Sequence, residues 1–208
     1  MRRLLVMTFL SLDGVMQAPG GADEDPDGGF EHGGWAVPHF DPALIGRIGT
    51  LTERAGALLL GRRTYEGFAS TWPLAEADDP IGSKINNMRK YVASRTLDSV
   101  SWRNSTLLTG DVAEAVAELK RGEGGEIQVH GSGGLIQTLL SADLVDEFRL
   151  LLFPVLIGSG KRLFAGGTVP AGLRLVATET SDNGVLDCTY VREGTVTYGA
   201  MGPETGNW

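Results

Sequence analysis

Apolar residues cluster in short runs at 4–10, 57–60, 91–93, 105–108, 127–130, 148–157, 174–178 and 185–192. Each run has strand length, and several are nearly continuous rather than alternating, as in strands covered on both faces. Between them the period lengthens. Leu44, Ile45, Ile48 and Leu51 share a stripe over 42–54, Val112, Ala115, Val116 and Leu119 share another, and Leu135, Ile136, Leu139 and Leu140 define a third, shorter helix. Asp111 with Glu114 three positions on resembles a capping box, and Asp41 precedes a proline at the first helical position. Strand and helix thus alternate through about residue 145, which predicts an α/β fold with a mostly parallel sheet and helices on both faces. From Leu144 onward only strands and Gly turns follow, so the sheet is expected to finish antiparallel. The stretch 150–157 is too apolar for an exposed edge; it must be central or covered by a second subunit, and a homodimer is expected. Residues 1–198 read as a single domain and 199–208 as a flexible tail.

Composition narrows the function. The 208 residues include 18 Lys and Arg against 26 Asp and Glu, a net charge of -8, which excludes a broad nucleic-acid or anionic-membrane surface. Cys188 stands alone, and His32, His39 and His130 are scattered, so no metal site is expected. Cys188 itself reads as a small buried side chain in the last strand. No apolar stretch approaches the roughly 20 residues of a membrane span, and the basic start with its short apolar run reads as a first strand rather than an export signal. A cytoplasmic location is expected. Glycine is in excess, at 30 residues, and gathers in the Asp- and Pro-rich segment 17–38 and at the ends of apolar runs. So long a segment in a compact domain predicts a functional loop or lid.

Ligands of open α/β sheets bind at the carboxyl ends of parallel strands. Four turns qualify, at 60–64, 93–96, 109–111 and 130–134. Two place Arg beside a hydroxyl, and the last is Gly-rich. Helix N-termini, glycines and guanidinium forks together suit a phosphorylated ligand, although each Arg read singly is also an ordinary solvated charge. Neither Gly turn fits a standard nucleotide motif: Gly131-x-Gly133 is followed by Ile136 where the dinucleotide fingerprint wants Gly or Ala, and 158–162 lacks the flanking residues of a P-loop.

The segments Ser11-Leu12-Asp13-Gly14, Leu60-Gly61-Arg62-Arg63-Thr64-Tyr65-Glu66, Val92-Ala93-Ser94-Arg95, Gly131-Ser132-Gly133-Gly134-Leu135, Leu144-Val145-Asp146-Glu147 and Phe153 through Phe164 occur in an order that resembles the dihydrofolate-reductase-like superfamily. More closely, they are similar to the reductase domain at the C-terminus of the bifunctional riboflavin-biosynthesis deaminase-reductase, from about residue 3 to about residue 193. The resemblance implies a three-layer sandwich and an NADPH-dependent reductase. Gly61, Arg62 and Thr64 would serve the pyrophosphate and adenosine phosphate, Ser94 and Arg95 the 2′-phosphate, and Gly131, Ser132, Gly133, Gly134 and Leu135 the pyrophosphate from the other side. A non-proline cis peptide within 131–134 is expected on the same ground. The implied reaction is hydride transfer to a small pterin- or pyrimidine-like heterocycle, similar to that of 5-amino-6-(5-phosphoribosylamino)uracil reductase; the alternative is a non-catalytic nucleotide- or drug-binding protein on the same fold. A zinc deaminase half is excluded by the single cysteine. Asp13 and Asp41 are the candidate catalytic carboxylates, with turn and helix-cap roles as alternatives. Trp35 and Phe40, with Phe30, either stack on a flat substrate or anchor the loop. Lys161 and Arg162 could meet substrate, a partner subunit or solvent, and the acidic run 23–27 would sit poorly against a phosphorylated substrate.

Overall fold

The computed structural model describes residues 1–164, 166, 168–202 and 204–205. In chain order the elements are β1 (Leu4–Ser11), α1 (Pro42–Arg54), β2 (Ala55–Gly61), α2 (Arg62–Thr71), α3 (Pro80–Asn87), β3 (Arg89–Ala93), β4 (Ser105–Leu108), α4 (Val112–Arg121), β5 (Glu126–His130), α5 (Gly133–Ser141), β6 (Glu147–Phe153), β7 (Leu173–Thr180) and β8 (Leu186–Arg192). They form one eight-stranded sheet in the order β4-β3-β2-β5-β1-β6-β8-β7. Strands β4 through β6 pair in parallel, while β8 pairs antiparallel with both β6 and β7. The expected α/β architecture with an antiparallel end is what forms.

Both faces of the sheet are covered. Leu4, Val6 and Leu10 of β1 and Ile127 and Val129 of β5 face α4 and α5, where Val116, Ile136, Leu139 and Leu140 complete one core. The alternate residues Leu5 and Met7 face α1 through Leu44 and Leu51, and a third cluster gathers Leu58, Leu60, Tyr65 of α2 and Ile85 of α3. Period-2 alternation therefore still decides which layer each side chain joins, even where both layers are apolar.

Two helices, α2 and α3, have no counterpart in the apolar pattern. Tyr65 is the only residue of α2 that is fully buried, so it carries almost no apolar stripe. The signal for α3 lay instead in Asp79-Pro80, the same cap-then-proline start as Asp41-Pro42: Asp79 accepts from the Ile81 N–H at 2.9 Å. The helix is closed by Lys90, a buried lysine of β3 whose Nζ donates to the carbonyls of Ile85, Asn86 and Met88 and sits 4.2 Å from the Trp102 ring centroid. Cation and carbonyl dipoles complement each other there, although burial pushes the ammonium down to about 8.

The strand beginning at Glu147 ends at Phe153, and 154–157 run on as irregular chain. Lying between β1 and β8, β6 is covered within the monomer, so its apolar character calls for no second subunit. The apolar edge is β7, all eight residues of which are exposed, Leu173, Leu175 and Val176 among them. Cys188 is buried on β8, as expected. Among the described residues no helix is long and apolar enough to cross a membrane. Of the expected tail, residues 203 and 206–208 lie outside the described residues.

Candidate active site

Adjacent parallel strands β3, β2, β5 and β1 bring their carboxyl ends to one edge of the sheet. Gly61 at the end of β2 and Ser132 after β5 meet there: the Gly61 N–H donates to Ser132 Oγ at 2.9 Å, and that oxygen lies 2.9 Å from Thr64 Oγ1 and 3.0 Å from the His130 carbonyl. The glycines make this contact possible. A Cβ at Gly61 would sit 3.3 Å from the Ser132 side chain, one at Gly131 3.2 Å from Thr64 Oγ1, and one at Gly133 3.1 Å from Met16 Sδ. Leu135 closes the same junction from α5. Gly131 and Ser132 both turn through positive φ, at 52° and 60°, while every peptide bond among the described residues is trans; the expected cis bond within 131–134 is not formed.

The two helices that start at this junction differ from the other three. Asp41, Asp79 and Asp111 cap α1, α3 and α4 by accepting from first-turn N–H groups. The turn at 109–111 is thereby satisfied from within. By contrast α2 starts from Gly61 and α5 from Ser132, and neither receives a side-chain cap. Two helix N-termini, each a patch of free donors at the positive end of a dipole, are locked side by side.

The arginines around the junction are not equivalent. Arg62 is exposed and shares its guanidinium with both oxygens of Glu66 one turn along α2. Ser94 and Arg95 lie one strand further out, after β3. The Ser94 hydroxyl accepts from the N–H groups of Thr96 and Leu97, shaping the turn, while Arg95 is exposed with no polar partner among the described residues.

On the other side of the β1 end the carboxylates are satisfied internally. Asp13 accepts from the Ile157 N–H (3.0 Å), the Gly158 N–H (2.8 Å), the Ser11 hydroxyl (2.7 Å) and Arg162 (3.0 Å). These bonds, the Ile157 N–H foremost, hold its carboxyl far below the usual range. Asp41 is nearly buried and is lowered chiefly by the Leu44 N–H at 2.7 Å. Both are therefore carboxylates at neutral pH with no proton to give. Trp35 is buried, donates its indole N–H to the Gln17 carbonyl at 2.8 Å and meets the Phe153 ring edge-on, so it anchors the loop. Phe40 is half-buried against Phe9 and Phe153.

Segment 17–38 folds into a compact loop, drawn together by the Gly34 N–H to the Ala18 carbonyl and the Ala36 N–H to the Pro19 carbonyl. Gln17 is its hub. The amide donates to the carbonyls of Asp25 and Asp27 and accepts from the Lys161 N–H. Two further polar residues lie on β5, neither of them given a role at the site from the sequence. Gln128, on central β5, donates from its amide nitrogen to the Leu51 carbonyl and the Glu126 carboxylate, and its own amide oxygen lies 3.1 Å from His130 Nε2. Since that oxygen only accepts, His130 carries its proton on Nε2, and burial pushes its pKa down to about 4. The signal was the alternation Glu126, Gln128, His130 within an otherwise apolar strand.

A parallel-cored sheet with an antiparallel end and paired open helix N-termini at the strand ends defines a reductase-type fold of the dihydrofolate-reductase kind. The chain belongs to the RibD C-terminal domain family, whose model matches residues 2–186. It is 29% identical over 196 residues to the uncharacterized protein YyaP of Bacillus subtilis (strain 168), covering 91% of this chain and 94% of that protein. It is 30% identical over 191 residues to YwjB of the same organism, covering 92% and 98%. Among solved structures it is similar to a putative riboflavin biosynthesis protein from Shewanella sp. PV-4, with a TM-score of 0.66, 24% identity and coverage of 92% and 99%. It also resembles a dihydrofolate reductase from Enterococcus faecalis complexed with NADP(H), with a TM-score of 0.56, 17% identity and coverage of 91% and 96%.

Proposed function

We propose that this chain is an NADPH-dependent reductase that passes hydride to a small pterin- or pyrimidine-like heterocycle, the class that 5-amino-6-(5-phosphoribosylamino)uracil reductase handles. The observation that carries the proposal is the pair of uncapped N-termini of α2 and α5, pinned together by Ser132. Two such termini suit the two phosphates of a pyrophosphate, and the NADP(H) held by the Enterococcus faecalis enzyme on the same fold supports this ligand.

The fit can be judged from the residues present. Gly61, Gly131 and Gly133 leave room where a Cβ would press on the neighbouring corner, and Gly134 is open to solvent contact. In this assignment Gly61, Thr64, Gly131, Ser132, Gly133, Gly134 and Leu135 hold the pyrophosphate, Arg62 leaves Glu66 for the adenosine phosphate, and Ser94 and Arg95 meet the 2′-phosphate. NADPH supplies the hydride. The chain's own work is to fix the coenzyme against the acceptor and exclude water, with Phe40 offering an aromatic face to a flat ring. Asp13 and Asp41 act as fixed carboxylates that shape the β1 turn and the head of α1, and the proton is drawn from solvent.

The same locked carboxylates favour a second reading, a binder that holds the nucleotide without turnover. Titration with NADPH and NADH, followed by the loss of reduced-nicotinamide absorbance across a panel of pterins, pyrimidines and quinones, separates the two. NADPH bound far more tightly than NADH and consumed with one acceptor class supports the reductase; tight binding without consumption supports the binder; no binding to either rejects both. We further propose a cytoplasmic homodimer of the single domain 1–198, joined through the exposed β7 edge.

A further inference from the structure

Arg63 lies in the first turn of α2, beside the open N-terminus, and Lys161 follows the Gly158 and Gly160 turns. Both cations belong to one network with the loop. Arg63 is 2.6 Å from Asp27 and 3.5 Å from Asp25; Lys161 is 2.6 Å from Asp25 and 3.0 Å from Asp27. Each carboxylate therefore bridges both cations, which is how one phosphate group would bridge them. We infer that Arg63 and Lys161 form an anion subsite for a phosphate or pyrophosphate group, filled in the free protein by Asp25 and Asp27 of the chain's own loop.

Further observations support this. Two cations brought together from positions 63 and 161 are conspicuous in a chain of net charge -8. The cationic side chains keep 52% and 41% of their exposure, so an incoming ligand can reach them without unfolding anything. Exposed ion pairs are individually weak, and a dianionic ligand making charge-assisted bonds can displace them. The loop turns between Asp27 and Phe30 on Gly28 and Gly29, at positive φ of 70° and 72°, and no atom lies within 4 Å of where a Cβ on either would sit. Arg63, with Lys161, holds Asp27 down to about 2, so that carboxylate stays charged throughout the physiological range. A ligand anion thus binds only the fraction of molecules whose loop has let go, and its apparent affinity is reduced by that fraction.

The test is calorimetric titration of the full chain with inorganic pyrophosphate, comparing wild type, Asp25→Asn/Asp27→Asn and Asp23→Asn. Asp23 sits in the same loop but outside the network, so its substitution controls for the general field. The expected result is pyrophosphate binding at least about tenfold tighter in the double variant, Asp23→Asn within about twofold of wild type, and the gain abolished by adding Arg63→Gln. In wild type, pyrophosphate should also speed backbone hydrogen exchange at 25–31 as the tip is released. Equal gains from Asp23→Asn and the double variant, a gain that survives Arg63→Gln, or a loop unmoved by pyrophosphate each overturn the inference. Parallel arms with NADPH and with ribose 5-phosphate identify the source: a matching gain for the first places a coenzyme phosphate in the subsite, for the second a substrate phosphate. A response to pyrophosphate in a protein that never binds NADPH would sink the coenzyme assignment and leave the subsite standing.

Discussion

The five helices begin in two different ways, and the contrast separates what the chain does for itself from what it leaves for a guest. Asp41, Asp79 and Asp111 each close a helix head with a carboxylate. At Gly61 and Ser132 the heads are left open, although a cap contributes about 1 kcal/mol and the chain has acids to spare. Donors left open on two neighbouring heads, rather than scattered, mark a place where the acceptor comes from outside. The carboxylates on the far side of β1 show the reverse: Asp13 accepts from four donors of its own chain.

The sharpest way to break this contrast is to give α2 the cap it lacks. Gly61→Asp places a carboxylate beside the junction at a backbone φ of -75° that any residue adopts. NADPH affinity should fall more than about 100-fold, from lost donors and like-charge repulsion, while the Ser132 side chain, 3.3 Å from the new Cβ, has to give and the melt should show a loss of about 1–2 kcal/mol. Fluorescence titration and a denaturant melt check the two halves. Next in size is Arg95→Ala, which removes one charge-assisted contact of about 1.5–3 kcal/mol and should weaken NADPH roughly 10- to 100-fold while leaving NADH within about threefold. Equal losses for both nucleotides would detach Arg95 from the 2′-phosphate. On the capped side the expectation is inverted: Asp79→Ala should cost about 1 kcal/mol in a melt and leave NADPH affinity unchanged.

Smaller effects probe the carboxylates and the half-buried histidine. Asp41→Asn keeps a capping oxygen, so turnover should stay within about threefold of wild type; a loss of activity would show that Asp41 donates the proton after all. His130, held down at about 4 against an ordinary value of 6.5, binds its proton more readily in the unfolded chain. Its contribution to stability is therefore complete above about pH 6.5 and is lost as pH falls toward 4. Melts of His130→Gln across that window should show a flatter pH dependence than wild type.

Much of the fold could be read from the chain because apolar runs of strand length and Asp-headed helices are local signals. The helix expected over 42–54 has those bounds in α1, with Leu44 and Leu51 of its stripe buried and Ile45 left exposed, and Asp111 caps α4 as its spacing with Glu114 suggested. What escaped was non-local or weakly apolar. Helix α2 buries one residue fully, and the strand at 148–157 looked longer than β6 because apolar residues continue past Phe153 into irregular chain. At the site, Gly61, Thr64, Gly131 and Ser132 were legible because they sit at strand ends. The network of Asp25, Asp27, Arg63 and Lys161 was not, since its bonds join residues as far as 136 apart in sequence. The roles of Asp13 and Trp35 were equally hidden, because only packing shows that one is saturated by backbone N–H groups and the other is sealed against Phe153.

The central claim is that the open heads of α2 and α5 grip one pyrophosphate together. Amide hydrogen exchange with and without saturating NADPH tests it most directly. Protection should rise at 62–64 and 133–135 in the same titration while the heads of α1, α3 and α4 stay unchanged. Protection confined to one of the two segments, or spread evenly over all five helix starts, would contradict it.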